Sequence, residues 1–333
     1  MDIESDPKLR TLTVSSHHYS HISNSEFIAH GQADSFATTA WAISKLYGSK
    51  ALRIYRPEKD GILELHSVYS PGRISWLARP ILAVVGGISD TAPMAAADSL
   101  GPGPQQERMA VYYIARDNHL RDFIWFNHNW AQGDLDVDLG NEVCTGLHAM
   151  WHSDEGPSTI CYTTTKEIHF RKEVRNDADK PPIVEEGTFD HPSDRPLALV
   201  VSDGDGVLMG TGDAGYKENK YTPAFTSLPL QLGPVHRIAA IDCDPEAEMR
   251  FFVTEHDTLN QYIFDRNKQT FSGATPLVAP NKVASGSPIT AAILQSATPT
   301  ILAFFIYSGN KLGYSSYDYA NPDEPPKAHA VQT

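Results

Sequence analysis

The side chains best suited to chemistry in this sequence of 333 residues are few and scattered. His148 and His152 stand one helical turn or two strand pleats apart, and Arg237 lies far downstream. Two imidazoles and a guanidinium could move a proton and hold developing negative charge. Asp98 and Asp242 offer carboxylate acceptors, and Trp41 and Trp151 offer broad stacking faces. Each also has a plainer reading: hydrogen-bonded core histidines, turn-capping aspartates, and indoles that fill space. No motif ranks them. There is no G-x-S-x-G, no H-E-x-x-H, no P-loop and no Rossmann glycine fingerprint. Asp203-Gly204-Asp205-Gly206 resembles a calcium loop but lacks the remaining ligand positions and the terminal Glu, so it reads as a hairpin turn. Cys144, Cys161 and Cys243 are odd in number and widely spaced. Neither a disulfide framework nor zinc is expected, and each reads as a small buried hydrophobe. No cofactor or metal is called for.

The elements that must position these residues are legible as an internal repeat. Residues 51–65 read ALRIYRPEKDGILEL, 109–123 MAVYYIARDNHLRDF, 249–263 MRFFVTEHDTLNQYI and 301–314 ILAFFIYSGNKLGY. Each is an apolar, aromatic-rich strand, a polar turn, and a second strand, which is a hairpin signature. Residues 159–170 and 197–210 read as weaker copies. Ahead of most hairpins lies a short strand with small side chains, as in Thr39–Ala42, Met94–Ala97, His148–Met150, Ile238–Ile241 and Thr290–Ile293. Small residues are expected where several strands crowd around one axis.

The hairpins recur at intervals of roughly 40–57 residues, the size of one four-stranded propeller blade. We therefore expect an all-β, six-bladed β-propeller in a single domain covering residues 1–333. The approximate blades are 36–88, 89–140, 145–187, 188–234, 235–284 and 285–333. The stretch RKEVRNDADK after Phe170 reads as a solvated loop. No good outer strand follows Tyr319, and residues 8–16 are expected to supply it and close the ring.

Hydrophobic residues make up 41% of the chain and aromatics 10%, enough for a sizeable core, and charged residues only 20%. The net charge of −14 repels phosphate, so nucleic acid and anionic membrane are not expected as partners. The opening MDIESDPKLR lacks the charged-then-apolar order of a secretion signal, and no run of apolar residues is long enough to span a bilayer. A cytoplasmic protein is expected. Monomer and homodimer both remain open.

The small-residue strand followed by LRIY…GILEL and a Trp resembles the repeat of the fungal fucose-specific lectins, over roughly residues 36–319. In that family a fucose pocket uses an Arg on the second strand of a blade, a Glu on the third, and an aromatic ring. The resemblance implies a sugar site at Arg53, Glu64 and Trp76 in blade one. Blade two has Ala110 and Asp122 with Trp130; blade five has Arg250, Gln261 and Phe271; blade six has Ala303 and Gly313; blade three has neither Arg nor Glu at these positions. A multivalent lectin gains avidity from several pockets, so the loss of this triad weighs against that role. In length, missing signal and decayed sugar sites the chain is similar to the fungal intermolecular hetero-Diels–Alderases of tropolone–sesquiterpenoid biosynthesis. That resemblance implies small polyketide and terpenoid substrates and catalysis without a cofactor. His148, His152 and Arg237 would then be the catalytic groups, with Trp41, Asp98, Trp151 and Asp242 binding substrate. The two implied functions, cyclase and lectin of reduced valency, are carried forward together.

Overall fold

The first strand of each strong hairpin repeat reads as an almost unbroken apolar run, MAVYYI, MRFFV or ILAFFI. A strand with one face in water would alternate instead. Both faces of these strands are therefore covered, and the structure shows by what. The computed structural model describes residues 42–44, 51–58, 61–70, 73–82, 87–89, 93–100, 107–126, 129–151, 158–164, 167–174, 183–190, 197–202, 205–210, 215–217, 237–244, 248–255, 257–268, 270–284, 287, 289–294, 300–308, 311–318 and 325–330. Among them there is no helix, and none is long and apolar enough to cross a membrane.

The strands form six antiparallel sheets. Sheet I holds β1 (Ala42–Ser44), β2 (Ala51–Glu58), β3 (Gly61–Ser70) and β4 (Arg73–Leu82). Sheet II holds β5 (Met94–Leu100), β6 (Glu107–Ile114), β7 (His119–Phe126) and β8 (Asn129–Asp138). Sheet III holds β9 (Gly146–Trp151), β10 (Ser158–Thr163), β11 (Glu167–Val174) and β12 (Ile183–Asp190). Sheet IV has three described strands, β13 (Leu197–Ser202), β14 (Asp205–Gly210) and β15 (Gly215–Lys217). Sheet V holds β16 (Arg237–Asp244), β17 (Glu248–Glu255) and β18 (Thr258–Asp265), with β19 (Thr270–Phe271) and β20 (Thr275–Val278) both pairing β18. Sheet VI holds β21 (Thr290–Leu294), β22 (Thr300–Tyr307), β23 (Lys311–Asp318) and β24 (Lys327–Ala330). The leading strands neighbour one another in the order β1, β5, β9, β13, β16, β21. Sheets stacked side by side through their leading strands are the arrangement of a β-propeller.

Among the described residues, the gaps between sheets I and II, II and III, and V and VI are separate cores. Tyr55 and Ile62 of sheet I pack with Met94, Ala96, Met109, Val111, Tyr113, Phe123, Trp125 and Trp130 of sheet II. The alternate residues of sheet II, among them Ala95, Ala97, Ala110 and Tyr112, pack with Leu147, Ile160 and Tyr162 of sheet III. The alanines of β5 are buried on both sides, which accounts for the small-residue strands. Asn118 sits at a φ of 63° in the β6–β7 turn, a left-handed position that Asn tolerates. Its side-chain Nδ2 donates to the carbonyls of Gly140 and Glu142 and so pins the connection from sheet II to sheet III.

Three details differ from the sequence reading. The edge of sheet VI offered to residues 8–16 is taken by β24, which pairs β23 from Gly313↔Ala330 to Ser316↔Lys327. Residues 8–16 lie outside the described residues. The sequence KAHA of β24 is exposed throughout and carries no apolar alternation to announce it. The hairpin at 197–210 forms, but β13 stands beside β9 and β16, in the leading position of its sheet rather than the second. The charged run expected as a loop begins as strand: β11 extends to Val174, and Arg171 pairs with Glu186 of β12 at 2.5 Å.

Two of the cysteines lie in the sheet II–III region. Cys144 and Cys161 are free and buried, and burial pushes both thiols from the ordinary 9.0 up to about 12. Thiolate is the reactive form, so neither is expected to be alkylated by iodoacetamide in the native protein at about pH 8. Mass-spectrometric mapping should find both labelled only after denaturation. The unfolded chain sheds these protons above 9.0 while the folded chain keeps them to about 12. Their contribution to stability is therefore full below the lower value and is lost as the pH rises through the upper one.

Candidate functional site

Strand register decides which residues can share a cleft. Cross-strand partners lie on one face, and a shift of one residue moves a side chain to the other face. Tyr55 pairs Glu64 and Arg53 pairs His66, so positions 53, 55 and 64 share one face of sheet I. Tyr55 places that face against sheet II, since its ring meets Trp130 edge-on at 5.8 Å and its hydroxyl reaches Met109 Sδ at 3.7 Å. Trp76 pairs Ser67, on the opposite face. The rings across the cleft from Arg53 and Glu64 therefore come from the next sheet. They are Trp125 and Trp130, 5.6 Å apart, with Trp130 also stacked on Phe123. Both indoles are buried, and Trp130 Nε1 has no hydrogen-bond partner.

The same rule holds between sheets V and VI. Phe252 pairs Gln261, so Arg250 and Gln261 share a face. Phe271 does not join them: it packs on Phe251 and Phe264, on the other face. The ring is Tyr317 of β23, which lies under the Arg250 guanidinium at 5.5 Å and whose hydroxyl donates to Gln261 Oε1. Arg250 Nε and Nη2 also meet Glu248 Oε1 at 2.9 and 2.8 Å. Arg250 and Gln261 are only 4% and 5% exposed. Burial alone would lower the Arg250 pKa, but Tyr317 and Glu248 outweigh it and hold the group above its ordinary value. Donor, acceptor and ring are thus arranged as a polyol site would need, and the protein's own groups occupy them.

Among the described residues, the cleft between sheets II and III lacks that arrangement. Between sheets II and III the Arg position is Ala110, in an apolar core. Asp122 is buried, and its Oδ1 accepts from the Leu135 amide at 3.1 Å. It fits only because Gly133 has no side chain, since a Cβ there would lie 2.2 Å from the carboxylate. In sheet VI the matching positions move by one. The bridges Ile88↔Ala115 and Val283↔Tyr307 mark equivalent points. They align Ala110 with Leu302 and Asp122 with Tyr314, which pair as Tyr112↔Asp122 and Phe304↔Tyr314. Ala303 and Gly313 therefore face sheet V instead.

The remaining candidates lie on the leading strands. Asp98 pairs Met109, Trp151 pairs Ser158 and Asp242 pairs Met249, all one step past the Arg-position row. His148 pairs Cys161, nearer the start of β9. Arg237 opens β16 and pairs Thr254; its side chain is half-buried, and burial lowers its pKa. Trp41 and His152 lie outside the described residues. The structure thus brings Asp98, Trp151 and Asp242 to one level and leaves His148 and Arg237 toward the other end. The signal for the aromatic partner of these two clefts was present in the sequence, as Trp125 and Tyr317, each seven positions into the third strand of the following sheet. It could be used only once the stacking order was known.

No family model and no curated protein matches the chain. Solved structures do. The fucose-specific lectin from Aleuria aurantia is similar at 18% identity and a TM-score of 0.69, covering 91% of this chain and 96% of that one. A second structure of the Aleuria aurantia lectin, described as a six-bladed β-propeller with a fucose recognition mode, is similar at 16% identity and a TM-score of 0.67, over 89% and 94%. AofleA from Arthrobotrys oligospora is similar at 13% identity and a TM-score of 0.60, over 88% and 86%. At these identities the likeness establishes the fold.

Proposed function

We propose that this chain is a cofactor-independent cyclase that joins two small molecules by an intermolecular hetero-Diels–Alder reaction. The observation that carries the reading is the closure of the sugar-type cleft between sheets V and VI by Arg250, Glu248, Gln261 and Tyr317. With that cleft filled by the protein's own groups, the reading places function at the leading strands instead. The reaction fits modest means. A hydroxymethyl tropolone loses water to give an o-quinone methide, and this heterodiene adds across an alkene of a humulene-type sesquiterpene. His148 or His152 would protonate the departing hydroxyl, which leaves as water, while an acceptor takes the tropolone proton and Arg237 would hold the developing negative charge. The cycloaddition then needs orientation and dryness, and holding two partners in register supplies on the order of 7–11 kcal/mol. Incubation with hydroxymethyl tropolone and humulene is expected to give one stereodefined adduct. A product mixture identical to the protein-free control rejects the reading.

A second reading, a fucose-binding lectin of low valency, is favoured by one observation. Positions 53 and 64 share the face opposite Trp125 and Trp130, and the Trp130 indole N–H lacks a partner there. Glycan-array binding to fucose that disappears in Arg53→Ala would establish it in place of the cyclase. No binding on the array removes it.

A further inference from the structure

The join between sheets II and III carries a partly buried imidazole that neither the cyclase nor the lectin reading uses. His169 of β11 pairs Tyr162 of β10, so both face sheet II, and their rings stack at 4.6 Å with planes 3° apart. The stack fixes the direction of Nε2. That nitrogen is buried and makes no hydrogen bond among the described residues. Two carboxylates stand just beyond bonding distance. Glu167 Oε2, on the same strand, is at 3.8 Å, and Glu142 Oε2, on the connection from sheet II to sheet III, is at 4.0 Å. The connection is tied to sheet II by Asn118, which bonds the carbonyls of Gly140 and Glu142. Its far end meets sheet III, where the Thr145 amide donates to the Thr163 carbonyl at 2.7 Å.

The charged groups facing His169 are mostly acidic. On its own strand Glu167 and Arg171 share its face, and β12 places Asp190, Thr188 and Glu186 opposite Glu167, His169 and Arg171. Arg171 is paired with Glu186 at 2.5 Å, so its charge is answered locally. β10 adds Tyr162, the connection adds Glu142 and Cys144, and sheet II adds Tyr112 and Asp122, the last bonded to the Leu135 amide. Burial pushes Tyr162 and Cys144 each up to about 12, so both are neutral. An imidazolium here meets carboxylates at its edge and a phenol face over its plane, and both favour the charge. In the neutral ring, Nε2 is an acceptor turned toward two carboxylates or a donor that reaches neither. Uptake of a proton makes both ring nitrogens donors. An N–H aimed at Glu142 can then close the 4.0 Å separation to the roughly 2.8 Å of a charge-assisted bond. From this geometry we infer that His169 and Glu142 form an acid-closed latch between sheets II and III. The latch links sheet II to sheet III through Asn118, the connection and the two side chains. It is closed at the acid end of the imidazole range and opens as the pH rises.

The test is amide hydrogen exchange of the intact protein, read by NMR at about pH 5.5 and about pH 8, the span over which imidazoles change charge. Each rate is corrected for the pH dependence of exchange in an unfolded chain. Protection of the Thr145 amide is expected to be roughly tenfold greater at the acid end, the value of one hydrogen bond to a charged group. His169→Gln and Glu142→Gln should each remove that difference. Glu167→Gln should keep it, because Glu167 lies on the same strand as His169 and ties nothing across the gap. The wild-type protein gives a readout that does not depend on the variants folding: the His169 ring resonances should titrate with the same midpoint as the Thr145 protection. Equal protection at both pH values overturns the latch. So does a difference that survives His169→Gln, which would place its source at another group. His119 and His148 are the nearest such imidazoles in the strands, on the faces of sheets II and III turned away from this gap, as alternation from Leu120 and Leu147 requires. A difference lost in Glu167→Gln but kept in Glu142→Gln also overturns it, since the contact would then be confined to β11.

Discussion

Phe252→Ala is expected to cost about 3–5 kcal/mol of stability in denaturant unfolding, the range for deleting a fully buried ring. Phe252 and its neighbour Phe251 are both 0% exposed, yet they belong to different cores. Phe252 packs with Leu259, Leu277, Val278, Ile301, Ala303 and Phe305, in the gap between sheets V and VI. Phe251 packs on the other face with Met249, Val253, Tyr262 and Phe264. Phe251→Ala should therefore cost a similar amount, and the double variant should cost close to the sum. Additivity is expected because a sheet separates the two cavities and no partner is shared. A double variant far from additive, or a Phe252 variant within about 1 kcal/mol of wild type, would show that the inter-sheet gaps are not independent cores.

The two phenylalanines show how much of the fold the sequence could reveal. An apolar run with β-branched and aromatic residues, a polar turn and a second run give the hairpin, because those signals are local. The alanines of β5 give the crowding at the leading strands for the same reason. What local signals cannot give is the face. Ala303 and Leu302 are neighbours of similar apolar character, and a hairpin loop longer by one residue is enough to exchange their roles. The bridge Val283↔Tyr307 settles which is which. β24 escaped for a different reason: an exposed edge strand needs no apolar residues, so KAHA carries no pattern.

The clefts were half legible. The Arg and Glu positions follow from spacing within one hairpin, and the register confirms that Arg53 and Glu64, like Arg250 and Gln261, share a face. The ring does not follow, since it is supplied across a gap by the next sheet. Trp76 and Phe271 are close in sequence to the right hairpins but on the wrong faces, whereas Trp130 and Tyr317 are distant in sequence from Tyr55 and Arg250 and adjacent to them in space. Nor could the sequence show that a retained arginine is already spoken for. Arg250 looked like a surviving sugar donor, and the structure gives it Glu248 as a counter-ion and Tyr317 as a cover.

That difference makes Arg250→Ala the most discriminating substitution. The guanidinium is held by Glu248 at 2.8 Å and lies over Tyr317, which in turn bonds Gln261. Truncation leaves Glu248 without this partner, opens space above the ring and loosens the join of sheets V and VI. The expected cost is about 3 kcal/mol, the lower end for breaking a buried ion pair. Arg250→Met should cost less, because the stem still covers Tyr317 and only the charge is lost. Adding Glu248→Gln to Arg250→Met should recover part of that cost by removing the stranded carboxylate. Chemical denaturation gives these values, and a fucose titration of the same proteins gives the other half of the comparison. A clamp predicts lower stability with no change in sugar binding, because there is none to lose. If Arg250→Ala instead keeps its full stability and abolishes a measurable fucose affinity, the cleft is open in solution. The lectin reading then replaces the cyclase.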